Sequence, residues 1–199
     1  MKTKIRMNDS EIGIACGRPI PKNNPDSLVG MIVQTLWTAH DLVFAEMDKR
    51  GQLRHASEIY CIRKKIAKKI PENTVNDDAY LALTAVKQGW NIVYEPQATV
   101  LIRGPETISD YFKQRRRIIW GHNQVRKLTG KSPQHVLHMI PLNPSGGFKL
   151  LLKLFSELGL LSFAVFIILE IIINIVVIVD SISGKSHVKW DVADSTKKL

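Results

Sequence analysis

Residues 76–102 read NDDAYLALTAVKQGWNIVYEPQATVLI, a helix pattern followed directly by a strand pattern. Either Asp77 or Asp78 begins the predicted helix, which continues with apolar residues at helical spacing and ends at Gly89. Residues 91–94 then predict a strand, and residues 99–102 predict a second extended piece. Because helix and strand alternate in this way, the stretch favours an α/β fold.

The residues on the N-terminal side repeat this alternation. Residues 11–16 predict a short strand, which we expect to end before Pro19 and Pro21 because proline cannot donate to a strand ladder. Apolar positions over residues 29–47 follow helical spacing after a cap at Asp26 or Ser27. Trp37 and His40 lie on the apolar stripe of this helix, a placement that favours core positions over ligand contacts.

Two further stretches complete the predicted domain. Residues 53–62 predict extended structure leading into the basic run 63–69, which is typical of a solvated helical face. Thr107 and Asp110 have the spacing of a capping box, and the helix that they begin is expected to run to Gly130. On this helix Gln114, Arg117 and Gly121 share one stripe.

Composition divides the chain into a basic part and an apolar part. The chain has 199 residues, 45% of them hydrophobic, and a net charge of +10. Residues 158–179 are almost all apolar, and this length matches the ~20 residues that span a bilayer core. We therefore predict a domain over residues 1–131, a linker over 132–147, a membrane-associated helix over 148–180 and a polar tail over 181–199. This organisation excludes a disordered chain, a disulfide scaffold and a polytopic membrane protein.

The flanks of the apolar segment bear on its orientation. Residues 1–6 are followed by polar Asn8-Asp9-Ser10 and not by the apolar stretch of a leader, so we expect the domain on the cytoplasmic side of a cell membrane. Lys149 and Lys153 precede the apolar run and Lys185 and Lys189 follow it, so the positive charges do not favour flanks on opposite sides. Glu170, near the centre of the run, also favours a re-entrant or interfacial segment.

Asp77 and Asp78 are the first candidates for chemistry. Carboxylates at a helix start commonly cap backbone N–H groups and complement the helix dipole. A functional interpretation is a general base that accepts a proton from a hydroxyl, since adjacent carboxylates repel and one of them then holds a proton more strongly. The residues themselves leave both interpretations open.

The basic run Lys113-Gln114-Arg115-Arg116-Arg117, followed by Trp120, is the second candidate. Four cations in five residues repel one another unless an anion is bound, and arginine suits phosphate oxygens. A small phosphate-bearing molecule, a nucleic-acid backbone and an anionic lipid surface all fit this pattern.

Taken in order, these motifs and their spacers resemble the C-terminal portion of a family 2 glycosyltransferase of the membrane-associated GT-A type. That family has an acidic motif, a Leu, a Gly, a Tyr, two proline-containing motifs and Gln-x-x-Arg-Trp in this order. The matching residues here are Asn76-Asp77-Asp78, Leu81, Gly89, Tyr94, Pro96-Gln97-Ala98, Pro105-Glu106-Thr107 and Gln114-Arg115-Arg116-Arg117. Upstream, residues 57–63 resemble the strand that ends in Arg63 before the acidic loop. Ile118 stands where the motif has Trp.

The resemblance implies a partial GT-A fold, α/β in class, followed by a hydrophobic membrane helix. It implies inverting transfer of a sugar from a nucleotide-diphosphate donor to a lipid-linked or polysaccharide acceptor hydroxyl, as in hexosyltransferases of polysaccharide or glycolipid biosynthesis. Asp78 would be the general base, and Asp77 stands beside it in the acidic motif. The residues implied to bind substrate or diphosphate are Gln114, Arg117, Arg116, Trp120 and Arg63.

The family's nucleotide-binding half has no counterpart in this sequence. Its Asp-x-Asp motif, which holds a divalent Mg or Mn ion, does not occur, so no metal ligand is expected in this chain. We therefore expect a truncated or split form that works with a separate N-terminal half, and no nucleic acid as partner. The alternative is a non-catalytic basic module, tethered to the membrane, that binds anionic lipid or nucleic acid.

Overall fold

The computed structural model describes residues 7–67, 69–133 and 144–189. Within these residues the chain forms three strands, which make one sheet, and four helices. The elements are β1 (Ile12–Pro21), α1 (Leu28–Lys49), β2 (Tyr60–Ile62), α2 (Asp77–Lys87), β3 (Asn91–Ile102), α3 (Ile108–Thr129) and α4 (Pro144–Ile182).

The sheet has the order β2-β1-β3. β1 pairs with β3 in parallel and with β2 in antiparallel orientation. A parallel pair needs a crossover connection, which the chain from α1 to α2 provides. The structure confirms the α/β class and is consistent with a partial GT-A fold.

β1 extends to Pro21, so the prediction that it ends before Pro19 and Pro21 is wrong. The N–H of Gly17 donates to Ile59 at 2.8 Å on the β2 side, whereas the N–H of Lys22 donates to β3 at 2.9 Å. Pro19 and Pro21 lie two and four residues after Gly17, so their backbone nitrogens face the same side as that of Gly17. β2 no longer pairs on that side at these positions, so no hydrogen bond is lost.

β3 is one strand rather than the two predicted pieces. Its register with β1 passes from Glu95 directly to Thr99, so residues 96–98 bulge out of the ladder and accommodate Pro96. A Cβ on Gly17 would lie only 2.1 Å from the carbonyl oxygen of Ala98, so the strands can meet at the bulge only because residue 17 is glycine.

Two other predictions about the chain between α1 and α2 need correction. Residues 53–62 form a strand only over Tyr60–Ile62. The basic run after β2 is a turn over residues 64–66 and not a helical face. Arg63 explains part of this, because its guanidinium binds the carbonyl oxygens of Ile12, Met7 and Asp9 and lies over the ring of Trp90.

Capping residues place α1 and α3 as the sequence predicts. Ser27 is the N-cap of α1, and its hydroxyl accepts a hydrogen bond from the N–H of Gly30 at 3.0 Å. Thr107 caps α3 in the same way, accepting from the N–H of Asp110 at 3.1 Å. Gly130 ends α3 in the left-handed conformation.

The C-terminal helix α4 begins at Pro144, inside the predicted linker, and most of that linker lies outside the described residues. Its backbone breaks helical geometry at Gly159, where φ is 72°. α4 packs against α1 and α3, and its buried side chains complete the hydrophobic core rather than trailing behind it as a separate tail. These side chains are Leu150, Leu154, Phe166, Ile173 and Val177.

Two of the described helices are long and apolar enough to cross a membrane, α1 and residues Gly147–Ile182 of α4. The apolar stretch of α1 is 44% buried and that of α4 is 22% buried, so α4 leaves most of its apolar surface exposed. By length and composition alone, these helices are a weak indication of membrane association.

Candidate active site

A cavity of about 1060 Å³ opens between α1, the start of α2, α3 and α4. This volume lies at the upper end of the range usual for small-molecule sites. Asp77, Asp78, Gln114 and Arg117 all line it. The structure therefore brings four of the predicted site residues, which come from two separate motifs, to a single cavity.

The acidic motif is held in place by contacts to α3. The side chain of Asn76 donates to the carbonyl oxygen of Ile118 at 2.9 Å, and the N–H of Val75 donates to the side chain of Gln124 at 2.9 Å. Gly121 permits this approach, since a Cβ there would lie 2.5 Å from the amide oxygen of Asn76. The glycine in the stripe with Gln114 and Arg117 thus serves close packing.

Asp77 and Asp78 form the first turn of α2, and the N–H of Asp78 donates to the Asp77 carboxylate at 3.0 Å. Asp77 therefore contributes to capping. Across the cavity, burial lowers the pKa of Arg117, and the negative charge of Asp77 partly opposes this effect. A carboxylate pair and a guanidinium thus face the same space.

The structure does not bring the other three predicted residues to this cavity. Arg116 pairs with Asp180 on α4. The indole N–H of Trp120 donates to the carbonyl oxygen of Lys185 at 3.2 Å. Arg63 binds backbone carbonyls near the start of β1, as described above.

An ion pair that the sequence analysis did not identify crosses the cavity wall. Arg115 and Glu170 are 7% and 1% exposed, and their side chains meet at 2.9 and 2.6 Å. Burial opposes the charge on Arg115, but the carboxylate of Glu170 and the hydroxyl of Tyr111 together outweigh this effect and raise the pKa of Arg115. Glu170, a single acid near the centre of the apolar run, was the only sequence feature that pointed to this pair. Its partner Arg115 is 55 residues away and could not be identified from the sequence.

Three histidines from three segments also line the cavity. His55 and His122 bring their Nε2 atoms to 3.2 Å, and His40 stacks on Phe44 with ring centroids 3.8 Å apart. Burial, followed by the positive charges of His55 and Arg115, lowers the pKa of His40 to about 3. His40 is therefore neutral at physiological pH. His40 and Trp37 are half-buried and line the cavity, and Trp37 also packs against a core cluster.

The polar side chains of Ser57 and Glu58 also line the cavity, and the sequence did not mark them as site residues. Ser57 is 3% exposed and lines the cavity, and among the described residues its hydroxyl has no hydrogen-bond partner. Burial raises the pKa of Glu58, and the neighbouring charges of Asp78 and Asp77 add to this effect. The short segment 55–58 thus faces the acidic motif with a histidine, a hydroxyl and a third carboxyl group.

The described residues do not fit a divalent metal site. Across residues 7–67, 69–133 and 144–189, no group of three or more His, Cys, Asp and Glu side chains is placed to hold a metal ion. A hard divalent cation takes about six or more oxygen ligands, so the described acidic groups do not supply a site by themselves.

A parallel pair of strands joined by helices, with acidic and cationic groups at one cavity, occurs in α/β proteins of many functions, so the arrangement alone does not define the chemistry. The family model described as Glycosyl transferase family group 2 matches residues 5–180. The chain belongs to this family, and glycosyl transfer is therefore its class of chemistry. Members of the family commonly use a divalent metal. No curated protein matches the chain.

Proposed function

We propose that the cavity is the acceptor side of an inverting glycosyltransferase site. A sugar would pass from a nucleotide-diphosphate donor to a hydroxyl of a lipid-linked or glycan acceptor, as a hexosyltransferase of polysaccharide or glycolipid synthesis does. The observation that carries this proposal is the meeting of Asp78 with Gln114 and Arg117 at one cavity. In this proposal residues 1–131 form the partial transferase domain, and α4 associates with the membrane.

Asp78 is the proposed general base. Its carboxylate takes the proton of the acceptor hydroxyl while the hydroxyl oxygen forms a bond to the anomeric carbon. The bond from that carbon to the diphosphate breaks from the opposite face, so the configuration inverts. Asp77 keeps the first turn of α2 in place through its contact with the Asp78 backbone.

Arg117 and Gln114 are proposed to stabilise the leaving diphosphate, where negative charge grows in the transition state. Arg116 contacts Asp180 on α4, and Trp120 contacts Lys185 just after α4. We therefore narrow the proposed diphosphate-binding residues to Gln114 and Arg117. Arg63 is proposed to fix the start of β1 instead.

The partners of this site follow from the same proposal. A separate N-terminal half would supply the donor site together with the Mg or Mn ion, since the described residues offer no metal ligand group. The catalytic domain would lie at the cell membrane and face the cytoplasm, because nucleotide sugars are made in the cytoplasm. No nucleic acid is required.

A second function is favoured by one specific observation. A small cleft that shares Lys113 and Arg117 with the cavity is also lined by Arg116, His187 and Lys189. Asp180 already pairs with Arg116 and His187 at this cleft. The cleft is too small to enclose a headgroup, so an anionic lipid or a nucleic-acid phosphate would contact its cations at the surface, as expected of a non-catalytic basic module. This function predicts binding that weakens steeply with salt and is indifferent to Asp78.

The test is transfer of labelled sugar from nucleotide sugars to a membrane extract, by the chain alone and with a matching N-terminal half. Asp78→Asn should lower the rate by about 10²- to 10⁴-fold, the contribution usual for a general base, while donor binding is retained. Asp26→Asn removes an exposed carboxylate next to the cap of α1 and is the matched control. Unchanged transfer by Asp78→Asn would refute the assignment of the base.

A further inference from the structure

One face of α4 is attached to the rest of the molecule along most of its length. After the break at Gly159, the buried positions are Phe166, Glu170, Ile173, Val177 and Asp180. Their spacing of three and four residues defines a single stripe on the helix. From Phe166 to Asp180 the contact extends over about 21 Å at the standard helical rise.

Charged contacts hold this face as well as apolar ones. Glu170 binds Arg115, and Asp180 binds Arg116 and His187, the latter at 3.0 Å. The two acids of this helix segment therefore point toward the domain. After Gly159, therefore, the charged positions of α4 face protein, which is the reverse of an ordinary surface helix.

The opposite face of α4 is apolar and open. Its large side chains are between about half and four-fifths exposed, among them Leu160, Leu161, Ile168, Ile175, Ile178 and Ile182. A continuous exposed patch of this kind marks a surface that another apolar phase covers.

The attachment of one face decides how α4 can meet a bilayer. If α4 crossed the membrane, α1 and α3 would be carried into the hydrocarbon beside it. The side chains of Lys113, Arg103 and Glu106 are 48%, 44% and 42% exposed, and such charges are costly at that depth. A helix that lies flat keeps the whole domain on the water side.

The ends of the helix fit the headgroup region. Lys149 and Lys153 are exposed at the start of α4, and Lys185 and Lys189 are exposed just after it. Cations at both ends complement an anionic leaflet on one side of the membrane and give no reason for the ends to separate.

We propose that α4 lies in the plane of one membrane leaflet, as an interfacial helix, with its apolar face in an anionic lipid surface and both ends on the same side. Glu170 lines the cavity from the opposite side of this helix, so the cavity lies about one helix diameter above the leaflet. The site would then meet acceptors that are presented at the membrane surface.

The test is cysteine labelling of the full chain in bacterial membranes. A Cys61→Ser parent keeps only Cys16, which is buried, and serves as the blank. Ser156→Cys and Ser186→Cys place exposed thiols at the two ends of the apolar helix. An impermeant maleimide should label both in inverted vesicles and neither in intact spheroplasts.

Ile175→Cys, on the apolar face, should react in detergent but stay protected in the vesicles. Labelling of the two end positions from opposite sides would show a spanning helix and overturn the proposal. The proposal also fails if the chain is recovered as a water-soluble dimer with Ile175→Cys protected, because a second copy would then cover the face. These outcomes do not depend on sugar transfer, so they are independent of the proposed function.

Discussion

Replacing Glu170 by glutamine tests whether α4 is part of the domain core. The substitution keeps the shape but removes the carboxylate that Arg115 binds at 2.9 and 2.6 Å. Because Arg115 is only 7% exposed, its guanidinium would remain buried without a counter-charge. Breaking a buried pair in this way costs about 3–5 kcal/mol, which corresponds to roughly 6–20 °C in Tm for a chain of this size.

The assay is thermal unfolding of Glu170→Gln beside the parent in the same detergent or lipid. Glu157→Gln is the matched control, since Glu157 lies exposed on the same helix and its loss should change stability by less than about 0.5 kcal/mol. A second variant, Arg115→Met with Glu170→Leu, replaces both charges and should recover most of the lost stability. Equal Tm values for Glu170→Gln and the control would refute the packing of α4 on α3.

The remaining predictions concern the cavity wall. Because the pKa of His40 is about 3 in the folded chain and 6.5 in the unfolded chain, only the unfolded state gains a proton between these values. Stability should fall with decreasing pH below 6.5 by up to about 1.4 kcal/mol per pH unit, and His40→Phe should remove this part of the pH slope in denaturant titrations at pH 7 and pH 5. If the unfolding free energy depended on pH equally in His40→Phe and in the parent, the burial of a neutral imidazole would be contradicted. Gly121→Ala should displace Asn76, cost about 1–3 kcal/mol in unfolding free energy and lower transfer activity, and an unchanged Tm would contradict the close packing.

The elements with strong local signals could be predicted from the sequence. Ser27 and Thr107 cap α1 and α3 as expected, since a cap depends only on the residues next to it. The α/β class followed from the alternation around residues 76–102 and is confirmed. The length of β1 was not predictable, because the tolerance of Pro19 and Pro21 depends on which side of the strand β2 occupies.

The candidate site divides in the same way. The meeting of Asp78 with Arg117 was expected from the order of motifs, which encodes a shared fold. The contributions of His40, His55 and Glu170 were not, because they come from segments far apart in sequence and have no motif of their own. Sequence composition also described the apolar run as a tail, since it cannot show that Glu170 in that run and Asp180 just after it bind arginines of α3.

The proposed acceptor-side site is tested most directly by the stereochemistry and stoichiometry of sugar transfer by this chain with its donor-binding half. If Asp78 is the general base, we expect one nucleoside diphosphate released for each sugar transferred, a product of inverted anomeric configuration, and loss of transfer in Asp78→Asn with retained donor binding. Transfer that persists in Asp78→Asn, or a product of retained configuration, would contradict the central claim.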